Sequence, residues 1–290
     1  MRFRGTRLRK SRVLAAACAL AFAGVAVSAT QVVAQATTAK DHGPKPTIVL
    51  VHGAWADASS WNPVISRLQH DGYTVAAPPN PLRGVDYDAQ TLKNYLATIQ
   101  GPVVLVGHSY GGMVITNAAA GNPNVKALVY DDAYIPAKGE TVFQINAAKP
   151  GSCVTADPST FLSLVQYPGS PQGDYDAYLK IAPNGAYQGF ADCFANGVPS
   201  AQARLLAAGQ RPFAVSAGSE PSGTPAWQTI PSWAVVGTAD HVIPPAEQSA
   251  MATRAGAHIT KVNAGHLSLI TRPGVVTDVI LDAARAAVRS

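Results

Sequence analysis

The stretch "GHSYGG" at residues 107–112 decides how this chain is read. It follows "PVVLV" (102–106), a short apolar run dominated by valine, and precedes "MVITNAAA" (113–120). The first run has the length and composition of a buried strand; the second can continue as a helix. Between them, Gly-x-Ser-x-Gly marks a turn so tight that glycines must flank the serine, and such a turn lifts the hydroxyl above the end of the strand. The helix that starts there aims its positive dipole end and its free N–H groups at the same place. Ser109 is therefore the candidate nucleophile, against the plainer reading of a capping serine in a glycine-rich turn.

Outward from this corner, strands and helices alternate. "TIVLVH" (47–52) and "YTVAAP" (73–78) read as strands. The helix between them, over "WNPVISRLQHDG", takes its cap from Ser59 or Ser60. "DYDAQTLKNYLATIQG" (86–101) is a helix with acids in its first turn, and "VKALVYDDA" (125–133) is the next strand. The pattern breaks over about 136–226, which is rich in Pro, Gly and Tyr and holds helical pieces at "PSTFLSLVQY" (158–167) and "AQARLLAAG" (201–209). It resumes with strand "SWAVVGT" (232–238), a helix around 245–256, strand "HITKVNA" (258–264) and a last helix over 274–289. Strands apolar on both faces imply a mostly parallel sheet covered by helices on both sides. The expected architecture is one α/β domain over 37–290 with a cap inserted at about 136–226. An insert at the carboxyl ends of parallel strands lies over the crevice where such sheets bind ligands.

A serine needs a base, and the base needs an orienting carboxylate. His266, in "NAGHLSLI", follows the strand at 258–264; Asp240, in "GTADHVIPP", follows the strand at 232–238. Each thus sits on a loop at a strand's carboxyl end. His241 is the rival base, and Asp131 or Asp132 the rival acid. His108 precedes the serine and points into the sheet layer. An oxyanion hole needs the N–H after the nucleophile, that of Tyr110, and one from the loop after the first strand. "HGAW" (52–55) holds that place: Gly53 lets the chain turn in, Ala54 presents its N–H, and His52 pins the loop.

Four motifs carry a resemblance: "TIVLVHGAWADASSW", "VVLVGHSYGG", "VVGTADHVIP" and "NAGHLSLI". Together they resemble the α/β-hydrolase superfamily. Within it they are similar to the small esterase branch that includes plant salicylate-ester hydrolases and hydroxynitrile lyases. The motifs span residues 47–270. The resemblance implies an α/β-hydrolase fold, a Ser109–Asp240–His266 triad in the family's chain order, oxyanion donors at Ala54 and Tyr110, and no cofactor or metal. The lyases of this branch carry Thr and Lys where this chain has Gly53 and Leu267, which argues for an ester hydrolase. A non-catalytic ligand-binding protein on the same fold and a cofactor-free perhydrolase are the alternatives.

The first 12 residues carry six of the chain's 22 Lys and Arg residues and no acid. An apolar stretch from Val13 to Ala29 follows, then small-residue cleavage sites ending at Ala29 and Ala36. This is the pattern of a secretory signal over 1–36, and the expected location is periplasmic or extracellular. An uncleaved anchor is the other reading. The remaining 16 basic and 17 acidic residues leave the chain beyond Ala36 near neutral, with no basic run for nucleic acid and no membrane partner. A small-molecule ester is the expected partner. Beyond the signal, the cysteines are Cys153 and Cys193, both in the insert. In an exported chain such a pair implies a disulfide, which would staple the cap to itself and leave the sheet untouched; two free thiols are the alternative. Tyr167, Tyr175, Tyr178, Tyr187 and Phe190 offer an aromatic cap over an apolar or aryl ester, with Trp55 and Tyr110 near the nucleophile.

Overall fold

Strand β1 (Thr47–Val51) lies inside the sheet, second from one edge, and that placement sets everything after it. In the computed structural model, which describes residues 44–181 and 189–288, the chain runs outward through α1 (Asn62–His70) to the short edge strand β2 (Val75–Ala76). It then turns back through α2 (Val85–Leu96) to β3 (Val103–His108), on the other side of β1, and through α3 (Gly111–Ala118) to β4 (Val125–Asp131). The signal, both cleavage sites and Tyr187 lie outside the described residues.

The insert follows β4. It holds α4 (Val142–Ala148), the single turn α5 (Pro158–Phe161), β5 (Leu162–Val165), β6 (Asp176–Leu179), α6 (Ser200–Ala208), β7 (Phe213–Ala214) and α7 (Val215–Ser219). The main sheet then resumes with β8 (Ser232–Gly237), α8 (Pro245–Arg254), β9 (His258–Val262), the short α9 (Ser268–Thr271) and α10 (Pro273–Ala287). Its six strands lie in the order β2-β1-β3-β4-β8-β9, all parallel.

Parallel connections are right-handed, so reversing the direction of travel puts the connecting helix on the opposite face. The step from β1 to β2 runs one way and every later step the other. Hence α1 covers one face while α2, α3 and α8 cover the other, and α10 joins α1. The reversal occurs between β1 and β3, which is where a sheet of this kind opens a crevice at its carboxyl end.

Central strands are buried on both faces, which is why β3 reads as an unbroken apolar run: all six of its residues are buried. Each fully buried Val or Leu contributes about 1.5–3 kcal/mol.

Three local expectations change. Asp57, not Ser59 or Ser60, caps the entry to α1: its Oδ1 accepts the Ser59 N–H at 2.7 Å. A carboxylate is the stronger acceptor at a helix's positive end. The helix expected over 158–167 is the single turn α5 followed by strand β5. β5 pairs antiparallel with β6, which pairs antiparallel with β7, and this pairing draws Leu162–Val165 into a strand. The bridge does form between Cys153 and Cys193, whose Cα atoms are 5.9 Å apart, but it does not leave the sheet untouched. The N–H of Cys153 donates to the carbonyl of His241, on the loop after β8.

Candidate active site

Ser109 sits between β3 and α3 at φ +53°. This left-handed conformation costs a non-glycine residue on the order of 1–3 kcal/mol, which the burial of one or two β3 valines offsets. The flanking glycines are there for close approach. A Cβ on Gly107 would stand 2.6 Å from the Gly111 carbonyl oxygen, and one on Gly53 would stand 2.6 Å from Ser109 Cβ. The turn can close, and the loop after β1 can lie against it, only with glycine at these positions.

The strands' carboxyl ends bring Ser109, His266 and Asp240 into one hydrogen-bonded line. Ser109 Oγ donates to His266 Nε2 at 2.8 Å, and His266 Nδ1 donates to Asp240 Oδ2 at 2.8 Å. All three are buried. Asp240 Oδ1 accepts the N–H groups of Val242 (2.7 Å) and Ile243 (3.1 Å), and Oδ2 also accepts Gln248 Nε2 (2.6 Å). These donors fix the carboxylate's position and leave Oδ2 turned to the His266 ring.

The rival residues are engaged elsewhere. Asp132 Oδ1 accepts the Gly237 N–H at 2.7 Å and its Oδ2 the Ser268 N–H at 3.0 Å, while Asp131 Oδ1 accepts Ser268 Oγ at 2.6 Å. Burial, and then repulsion from neighbouring carboxylates (Asp240 for both, Asp131 also for Asp132), raises both carboxyl groups above the ordinary carboxylate range. Asp132 thus ties the end of β8 to the loop that carries His266. The His241 ring faces the carbonyl of Asp192.

His108 does more than fill the sheet layer. Its Nε2 donates to the carbonyl of His266 at 2.8 Å, fixing that residue's backbone from below, and burial keeps its ring neutral, well below the usual histidine range. His52 pins the first loop as its position implies. Nδ1 donates to the Gly53 carbonyl (3.0 Å), Nε2 accepts the Asn80 N–H (2.9 Å), and burial lowers its pKa to about 4.

The N–H groups of Ala54 and Tyr110 find no acceptor among the described residues, and both residues line the cavity over Ser109. Tyr110 is anchored from behind: its hydroxyl donates to Asp88 Oδ2 at 2.9 Å, and its ring meets Phe213 edge-on at 4.9 Å. Burial raises Asp88 to about 6.

That cavity holds about 160 Å³. Trp55, Phe143, Phe161 and Phe213 make it apolar, and Tyr134 and Asn146, hydrogen-bonded to each other, give it one polar corner. Among the described residues the expected cap aromatics are not its walls. Tyr167 is bound to Asp174 and lies against Arg83, Tyr175 is exposed, Tyr178 is half-buried away from the cavity, and Phe190 faces a separate groove. Among the described residues no cluster of three His, Cys, Asp or Glu could hold a metal ion. A hydroxyl, a base, an acid and two unpaired N–H groups around an apolar cavity are the parts of an acyl-transfer site.

A model of the alpha/beta hydrolase family matches residues 48–279. The chain belongs to that family. Among named relatives, a carbendazim-hydrolysing esterase of Nocardioides sp. is 34% identical over 33% of this chain, a match that spans 46% of the esterase's own length. An alpha/beta hydrolase of Aspergillus novofumigatus is 26% identical over 84% of this chain and 98% of its own. The fold is also that of polyneuridine aldehyde esterase, with a TM-score of 0.65 at 19% identity, covering 82% of this chain and 99% of that one.

Gln248 is a contributor that sequence reasoning missed, while Asp132, named there as a rival acid, and His108, placed there in the sheet layer, act through backbone contacts it did not foresee. Each acts on the backbone or on the acid from a distance in sequence, and only His108 has a signal, its place beside the serine.

Proposed function

We propose that the protein is an exported serine hydrolase that cleaves carboxylic esters, small apolar or aryl, through an acyl-enzyme. The observation that carries this is the unbroken line from Ser109 Oγ through His266 to Asp240, at 2.8 Å and 2.8 Å, beneath an apolar cavity with two free N–H groups. A relative named as an esterase supports the same chemistry.

In this reading Ser109 Oγ attacks the ester carbonyl as His266 Nε2 takes its proton. The carbonyl oxygen gains negative charge between the N–H groups of Ala54 and Tyr110, where preorganised donors count most. His266 then passes the proton to the departing alkoxide, and the alcohol leaves. Water, deprotonated by the same imidazole, attacks the acyl carbonyl and releases the acid. Asp240 holds the reactive tautomer and stabilises the imidazolium that forms in each half.

The cavity bounds the substrate. A void of about 160 Å³ is close to one that holds a single benzene ring, on the order of 150 Å³. One short acyl chain or one aryl group fills it. Export rests on the N-terminal pattern, with which a disulfide is compatible. Among the described residues no helix is long and apolar enough to cross a membrane.

Turnover of p-nitrophenyl acetate by purified protein, and its loss in Ser109→Ala with the fold intact by circular dichroism, is the expected result. Wild-type turnover in that variant removes the site from consideration. No turnover of any ester by the folded wild type favours a binding protein.

A further inference from the structure

The insert also grips the loops that carry the acid and the base. Two of its segments meet the loop at 239–242, and the Cys153–Cys193 disulfide ties those segments together. From the first, Ser152 Oγ donates to the Val242 carbonyl (2.6 Å) and the Cys153 N–H to the His241 carbonyl (2.8 Å). From the second, Asn196 Nδ2 donates to the Ala239 carbonyl (2.7 Å), and the carbonyl of Asp192 accepts the His241 ring N–H (2.9 Å). Asn196 Oδ1 also accepts the N–H of His266 itself, at 3.3 Å. One amide side chain therefore bonds both loops. Gly265 lies so tight against it that a Cβ there would come within 2.5 Å of both amide atoms.

The geometry points to Asn196, held in place by the Cys153–Cys193 bridge, as a positioning residue for the Asp240–His266 pair. This rests on the serine-hydrolase reading. The residues on either side of Asp240 have their carbonyls taken by the insert, so the backbone that carries the acid is fixed from outside the sheet. Asn196 then spans to the N–H of the base, which sets the separation of the two loops. Asp240 keeps its own donors, Val242, Ile243 and Gln248, so losing the clamp loosens the pair and does not dismantle it. A misplacement of about 1 Å at such a pair can cost up to about 100-fold in rate. A partial loosening costs less, on the order of tenfold, and it appears in kcat because substrate contacts are unchanged.

The test compares Asn196→Ala and a Cys153→Ser/Cys193→Ser protein, each with Asp240 intact and with Asp240→Asn, using p-nitrophenyl acetate. Circular dichroism checks the fold, and Ser109→Ala is assayed beside them. With Asp240 intact, kcat should fall by about tenfold and KM stay within about twofold. With Asp240→Asn in place the same changes should cost little more, because the Asp240–His266 pairing they set is already broken. Gly265→Ala, which displaces Asn196 from the other side, should reproduce the kcat loss. Wild-type kcat, a loss confined to KM, or an equal loss on top of Asp240→Asn overturns the inference. If the cysteine variant does not fold, Asn196→Ala alone decides. Ser109→Ala with full activity strikes the hydrolase reading instead. Ser109→Ala inactive and Asn196→Ala unchanged strikes this inference alone.

Discussion

Ser109 and Asp240 belong to one hydrogen-bonded line, yet they are held by different means. The serine stands on β3, in the centre of the sheet, with buried valines beneath it and glycine-tight packing around it. The acid stands on a longer loop after β8, near the sheet's edge, where backbone carbonyls are gripped by side chains and amides of the insert. Packing fixes the first position and polar contacts the second. The serine's half of the site is therefore set by the sheet, and the carboxylate's half is shared with the cap. Changes near Ser109 should be close to all-or-none, and changes around Asp240 graded.

The largest separation between the two should come from comparing buried carboxylates. Asp240→Asn presents an amide where His266 needs an acceptor, and it should lower kcat by about 10⁴-fold, the cost of the wrong histidine tautomer. Asp132→Asn should leave kcat within about tenfold but lower stability by about 1–3 kcal/mol, the cost of leaving one of two buried N–H groups without its acceptor. Steady-state kinetics and urea melts on the two variants read this directly. If Asp132→Asn carries the larger kinetic loss, the working acid is the one that follows β4.

A smaller effect is expected at the cavity wall that the insert supplies. Phe161→Ala should open the space over Ser109 and shift kcat/KM by about tenfold toward esters one ring or several methylenes larger. Acyl and alcohol series measured separately would show which half of the ester lies there. An unchanged ranking would mean Phe161 packs the insert and does not select substrate.

The smallest is a pH effect behind Tyr110. The pKa of Asp88 is raised by burial to about 6, above its ordinary 3.8. A carboxyl raised in the folded state favours folding while protonated. Its contribution is therefore full below pH about 4 and is lost as pH rises through about 6. Asp88→Asn removes this dependence, so its melting temperature relative to wild type should rise between pH 4 and pH 7. A constant difference across that range would mean that the group titrates normally.

Much of this was legible in the sequence because it is local. The serine's corner needs flanking glycines, a valine-rich strand before it and a helix after it, all within a few residues. Asp240 and His266 were placed by the strands they follow. The insert was harder. Its strands β5, β6 and β7 are short and partly exposed, so alternation over a few residues could not be told from one face of a helix. The contacts that steady the site were illegible for another reason. Asp132 reaches Ser268, and Asn196 reaches Ala239, through backbone groups that leave no trace in side-chain identity. Even the bridge, expected from a cysteine pair, gave no hint that it borders the acid's loop.

The most direct measurement is mass spectrometry of the folded protein after exposure to a fluorophosphonate, with peptide mapping of the adduct. An activated serine beside a base should be labelled at Ser109 alone. Labelling should be complete in the wild type, slowed by orders of magnitude in Asp240→Asn and absent in His266→Ala. A folded wild-type protein that takes up no label, or takes it up at another residue with Ser109 untouched, would contradict the assignment of Ser109 as nucleophile.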